Sequence, residues 1–295
     1  MLKVIKKLSI AMAMTVTAAL PIQASELVIG GKNFTEQQLL TEITSQYLSA
    51  NGYDIERRAG MGSAVLRKAQ ENGQIDLYWE YTGTSLLTYN KVTEKLAPGE
   101  VYNRVKELDG KKGLVWLNPS SANNTYALAM RQSDAKKRSI STLSDLANAV
   151  NGKSGLTLAV NAEFYARKDG LKPLQKAYDF EFSRKDIKRM DSGLTYTALK
   201  EGQVDVALVF ATDGRIPAFG FTVLKDDKGY FPNYAITPVV REQTLQKNQQ
   251  LAAQMNKLSA AIDTAKMSDL NARVDVKRQS IEKVATDFLQ EAGLK

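Results

Sequence analysis

The feature that most narrows the fold is a strand-loop-helix unit that recurs along the chain. Residues 27–29 (LVI) form a short apolar strand, Gly30-Gly31-Lys32-Asn33-Phe34 breaks it, and Leu40, Ile43, Tyr47 and Ala50 then recur at helical spacing up to Asn51-Gly52. Thr35 with Gln38 three positions on has the form of a capping box at the helix start. A second unit follows, with a strand at 53–57, the loop "AGMGS", and a helix capped by Ser63 that stops at Gly73. A third strand, 75–78, runs into "DLYWEYTGTS", residues 76–85. Alternation at these lengths predicts an α/β fold built on parallel or mostly parallel sheets with helices on their faces.

New units continue the alternation. Residues 156–160 read as a strand feeding "NAEFYARKDG", 195–201 as a helix, 204–210 as an apolar strand ending in "ATDGR", and 235–240 as one more strand. From Glu242 onward the pattern is helical, with Leu251, Met255, Leu258 and Ile262 on one face. Over 295 residues two α/β lobes fit better than one long sheet. Polar or proline-containing stretches at Asn123-Asn124 and Phe231-Pro232-Asn233 mark two crossings between them. Lobe one is then discontinuous, 25–123 and 232–295, and lobe two is 124–231. Loops at the carboxyl ends of the strands converge on the cleft between such lobes, where ligands are expected.

The first residues read as an export signal, 1–24: Lys3, Lys6 and Lys7 are basic, 8–20 is apolar, and "IQA" ends at Ala24. The apolar run is shorter than the roughly 20 residues that a spanning helix needs. Removing three lysines and no acids takes the net charge from +8 to +5, and the remaining charges alternate, so no nucleic-acid partner is expected. The chain has no cysteine, hence no disulfide and no lipid-modified anchor. A free, soluble monomer in the periplasm is the expectation. It also has no histidine, which excludes Ser-His-Asp and Cys-His nucleophile systems and a zinc site built on those ligands. No carboxylate pair is marked by its local sequence as a catalytic dyad, so no catalytic residue, metal or cofactor is assigned.

The predicted loops carry Lys32 after the first strand, Tyr78, Trp79, Tyr81 and Thr84 after the third, and Tyr126 at the first crossing. Arg167 and Phe210 follow in lobe two, and Tyr230, Phe231 and Tyr234 at the second crossing. Singly, each aromatic reads as a core or rim residue and Lys32 as a solvated charge. Together they could form a box of ring faces around a quaternary ammonium, which donates no hydrogen bond and is cheap to desolvate. Lys32 and Arg167, one from each lobe, could pair with a carboxylate on the same ligand, with the Thr84 hydroxyl as a further donor.

Five stretches in order, "GGKNFTEQ" (30–37), "DLYWEYTGT" (76–84), "NNTYALAM" (123–130), "ATDGRI" (211–216) and "FPNYAITPVV" (231–240), resemble the substrate-binding proteins of osmoprotectant ABC importers, the glycine betaine/choline/carnitine-binding family. The resemblance implies a hinged two-lobe periplasmic-binding-protein fold of type II. It implies an ammonium cage of Tyr81, Tyr126, Phe210 and Tyr234. Lys32, Thr84, Asn124 and Arg167 take carboxylate or other polar contacts, Arg167 on a looser motif. Phe210 departs from the tyrosine usual there, which predicts weaker affinity or altered preference, and Tyr196 in "GLTYTAL" is either a compensating wall or helix core. The implied activity is delivery of a quaternary-ammonium solute, glycine betaine first, to an ABC import permease in the inner membrane. A choline- or carnitine-selective receptor of the same class is the alternative, and an exported enzyme acting on a betaine-like substrate is the rival from another class.

Overall fold

The computed structural model describes residues 26–94 and 96–295, so the export signal expected at 1–24 lies outside the described residues. The chain builds two five-stranded sheets. The first contains β1 (Glu26–Lys32), β2 (Asp54–Met61), β3 (Leu77–Tyr81), β4 (Leu114–Trp116) and the late strand β10 (Ile236–Arg241) in the order β2-β1-β3-β10-β4. The second contains β5 (Tyr126–Arg131), β6 (Leu158–Val160), β7 (Ile187–Arg189), β8 (Val206–Phe210) and β9 (Phe221–Val223) in the order β7-β6-β8-β5-β9. In each sheet one strand, β10 or β5, runs antiparallel to both neighbours and the others run parallel to one another. The α/β class and the mostly parallel sheets expected from the alternation are therefore observed. The antiparallel strand in each is the one that follows a crossing and so enters from the opposite end.

Between the sheets the two crossings lie side by side. Asn123 pairs with Ala235 as an antiparallel bridge, and the Asn124 N–H donates to the Tyr234 carbonyl at 3.2 Å. One large apolar cluster runs through both sheets, from Leu27, Ile29 and Leu40 to Leu128, Leu158 and Val206. Trp79 joins it while Tyr78 packs with Leu66 and Ile75 on the other side, because successive strand residues point to opposite faces.

Two local expectations are corrected. Helix α1 (Thr35–Ala50) has extended Phe34 at its cap position with no side-chain cap, and the Thr35 hydroxyl donates instead to Asp275 at 2.8 Å. Helix α2 (Ser63–Glu71) likewise starts after Gly62, with Ser63 already in its first turn. Both serine and threonine lie one residue too far along to reach the first-turn amides as caps. The strand β5 escapes sequence reading because Ala127, Leu128, Ala129 and Met130 favour helices. It is a strand because Leu128 and Met130 fill one core while Ala127 and Ala129 fill another. No helix among the described residues is long and apolar enough to cross a membrane.

Candidate ligand-binding site

A cavity forms where the ends of β1 and β3 meet the start of β5 and the end of β8. All eight residues singled out from the sequence line it: Tyr81, Tyr126, Phe210 and Tyr234, and with them Lys32, Thr84, Asn124 and Arg167. Tyr126 is the central ring. Its centroid lies 5.3 Å from Phe210 and 5.4 Å from Tyr234, the latter edge-on at 83°. Tyr81 reaches this group through Phe34, which stacks on Tyr81 at 6.3 Å and on Phe210 at 5.9 Å. Sequence reading missed Phe34 as a wall, although an aromatic placed between a Gly-Gly loop and a helix start was a usable signal. Phe164 and Phe231 back the Tyr126 ring at 5.0 and 6.3 Å.

The local chain path explains the placement. After Tyr81 the backbone coils at once at Thr82–Thr84, which places Thr84 on the cavity, and continues into a wide turn at Ser85–Tyr89. Gly83 passes directly against Tyr234: a Cβ there would lie 2.7 Å from the ring. Tyr196 does not line the cavity. It is fully buried behind β8, accepts the Phe210 N–H at 2.8 Å, and carries the Arg215 guanidinium 4.0 Å from its ring centre. Of the two roles left open for it, the observed one is core support for the Phe210 backbone.

Both cations arrive already paired. The Lys32 ammonium donates to Glu80 at 2.6 Å with both groups buried, and lies 4.8 Å from the Tyr81 ring centre. Glu80 also accepts from the Tyr78 hydroxyl at 2.8 Å and the Tyr81 N–H at 2.7 Å. Arg167 donates twice to Asp169, at 2.7 and 2.5 Å, and once to Glu163 at 3.1 Å, with its guanidinium 5.3 Å from the Tyr126 ring centre. The Tyr234 hydroxyl completes the Asp169 shell. Thr84 makes no side-chain hydrogen bond among the described residues, which leaves its hydroxyl to the cavity.

Beneath Tyr81 sits Glu36. Its carboxylate accepts from the Tyr81 hydroxyl at 2.7 Å, Asn124 at 2.7 Å, Asn271 at 3.2 Å, and Thr212. Burial holds its pKa above the usual carboxylate value, and these four donors offset only part of that shift. Burial, and for Tyr81 the Glu36 charge as well, pushes the Tyr81, Tyr126 and Tyr234 phenols up, so the rings stay neutral near pH 7. Neutral aromatic walls with internally compensated cations can hold a compact organic cation by ring faces and a polar tail by Thr84 and Asn124.

The family model for the substrate-binding domain of ABC-type glycine betaine transport systems matches residues 25–291. The glycine-betaine-binding protein of Pseudomonas aeruginosa is 48% identical, with 99% of this chain and 96% of that one covered. The glycine betaine-binding protein YehZ of Escherichia coli is 34% identical, with 96% of each chain covered. A crystal structure titled glycine betaine/carnitine/choline ABC transporter superposes with a TM-score of 0.74 at 29% identity, over 91% of this chain and 99% of that one.

Proposed function

Since the chain belongs to the family of substrate-binding domains of ABC-type glycine betaine transport systems, we propose that it captures a quaternary-ammonium solute in the aromatic cavity and hands it to an inner-membrane permease. The observation that carries this reading is the convergence of Tyr81, Tyr126, Phe210 and Tyr234 on one cavity from both sheets. Each ring face is worth about 0.5–2 kcal/mol to a cation. Glycine betaine is the first ligand to test, in keeping with the names of the relatives. The lobes divide at 123/124 and 231/232, a division supported by the paired crossings there. Ligand touching both lobes stabilises the closed form, which the permease reads. The protein works as a monomer in the periplasm and performs no chemistry on its ligand.

A choline-type ligand without a carboxylate is the second reading, and one observation favours it: Lys32 and Arg167 are each neutralised by a buried carboxylate. Thermal shift with glycine betaine, choline and carnitine separates the readings, because a ligand that binds the folded state raises Tm by mass action. No shift with any of the three at millimolar concentration would sink the proposal. Recovery of unaltered ligand after incubation tests the claim that no reaction occurs.

A further inference from the structure

Around the cavity the buried carboxylates are matched to cations with one exception. Glu80 has Lys32, Asp169 has Arg167, and Asp213 has Arg215 at 2.5 Å. Glu36, 3% exposed, has no lysine or arginine within ion-pair distance among the described residues. Its partners are four neutral donors, the Tyr81 and Thr212 hydroxyls and the Asn124 and Asn271 amides. An ionised carboxylate only accepts, and four donors fill its acceptor sites, so this shell suits the charged form. The shell is also bipartite. Tyr81 is a wall of the cavity, whereas Thr212 follows β8 of the second sheet, and Asn271 donates to the Thr212 carbonyl as well, at 2.9 Å.

Resting on the cage reading above, we infer that Glu36 is the counter-charge of the cage: a positioning residue that makes the cavity prefer a cationic head group over a neutral one of the same shape. Two effects produce the preference. A buried charge acts on the ligand cation through a medium of low dielectric. A phenol that donates to a carboxylate also gains electron density, which strengthens the negative ring face that the cation meets. Thr212 ties the same carboxylate to the second sheet, so the charge is set in place as the two sheets close on the ligand.

The test compares glycine betaine and choline with their carbon isosteres, in which a tert-butyl group replaces trimethylammonium, by calorimetry on the wild-type protein, Glu36→Gln and Tyr81→Phe. Glu36→Gln should lower the cation-to-isostere affinity ratio about tenfold, and Tyr81→Phe, which keeps the ring but cuts its link to Glu36, by about threefold. Equal losses for cation and isostere would reveal a purely structural role and overturn the inference. A wild-type ratio near one would overturn it too, together with the cation-π cage, whereas equal losses in the variants leave the cage reading standing. Wild-type protein that binds neither head group would overturn the cage reading and this inference together. If Glu36→Gln does not fold, Tyr81→Phe decides alone, an unchanged ratio being the adverse result.

Discussion

The Tyr234 hydroxyl donates to Asp169 at 2.6 Å, although Tyr234 leads into the first sheet and Asp169 sits beside the second, just past the short helix Ala162–Ala166 that follows β6. One cage ring is thereby held by the group that also anchors Arg167. Tyr234→Phe keeps the ring and loses this charge-assisted bond, worth about 1.5–3 kcal/mol. Ligand affinity should fall about tenfold or more, measured by calorimetry, and an unchanged affinity would mean that the bond does not support the closed form.

Tyr126→Ala and Tyr81→Ala each remove a ring face and its packing. Either should weaken quaternary-ammonium binding about tenfold or more, a loss of ~1–2 kcal/mol. Unchanged affinity in both variants would defeat the cage assignment. Phe210→Tyr restores the more electron-rich ring and should tighten binding about threefold. The same titration reads this change, and a weaker complex would contradict it.

Gly83→Ala places a methyl group 2.7 Å from Tyr234 and 2.9 Å from the Asn233 carbonyl. Neither the fully buried ring nor the backbone can yield cheaply, so overpacking should cost about 1–3 kcal/mol of stability and misplace Tyr234. A lower denaturation midpoint together with weaker ligand binding is the expected pair of results. A silent substitution would show that the turn relaxes.

Lys32→Met strands Glu80 as an unpaired buried charge and should destabilise the protein by about 3–5 kcal/mol. The double variant Lys32→Met/Glu80→Gln removes both charges while keeping an acceptor for the Tyr78 hydroxyl and the Tyr81 N–H, and should recover part of that loss. Chemical denaturation of the wild type, the two single variants and the double variant measures the coupling. Additive losses would show that the ion pair is not the coupled unit described.

Away from the cavity, Asp109 predicts a pH effect. Burial pushes its carboxyl up, but the Arg67 guanidinium at 2.7 and 2.8 Å, with Asn90 and Ser85, outweighs it and holds the pKa down to about 2 against 3.8 unfolded. A depressed acid stabilises the fold above the unfolded value, here by about 2 kcal/mol, and that contribution disappears as pH falls from near 4 through 2. Wild-type stability should therefore drop across that window. Asp109→Asn should be less stable at neutral pH but lose less on acidification, as denaturant midpoints at several pH values will show.

The sequence by itself determined what is local. The apolar run before Gly30-Gly31, the helical spacing from Leu40 to Ala50, and the breaks at 123–124 and 231–233 indicated two α/β lobes. Short ordered motifs named six residues, and the position before "ATDGRI" and a looser stretch added Phe210 and Arg167; the structure brings all eight to one cavity. Local pattern misled where neighbours in space overrule propensity, as in the alanine-rich β5, and where one residue of register decides a cap, as at Thr35. What only the tertiary structure decided is which groups are already satisfied. Lys32 meets Glu80 across 48 residues, Tyr234 meets Asp169 across 65, and Glu36 meets Thr212 across 176. Such pairings carry no periodicity or spacing signal, because they follow from sheets and crossings that bring distant segments together. They turn two free cations into compensated ones and leave Glu36 as the buried carboxyl without a cation among the described residues: desolvation makes a buried group's partners matter more than its identity.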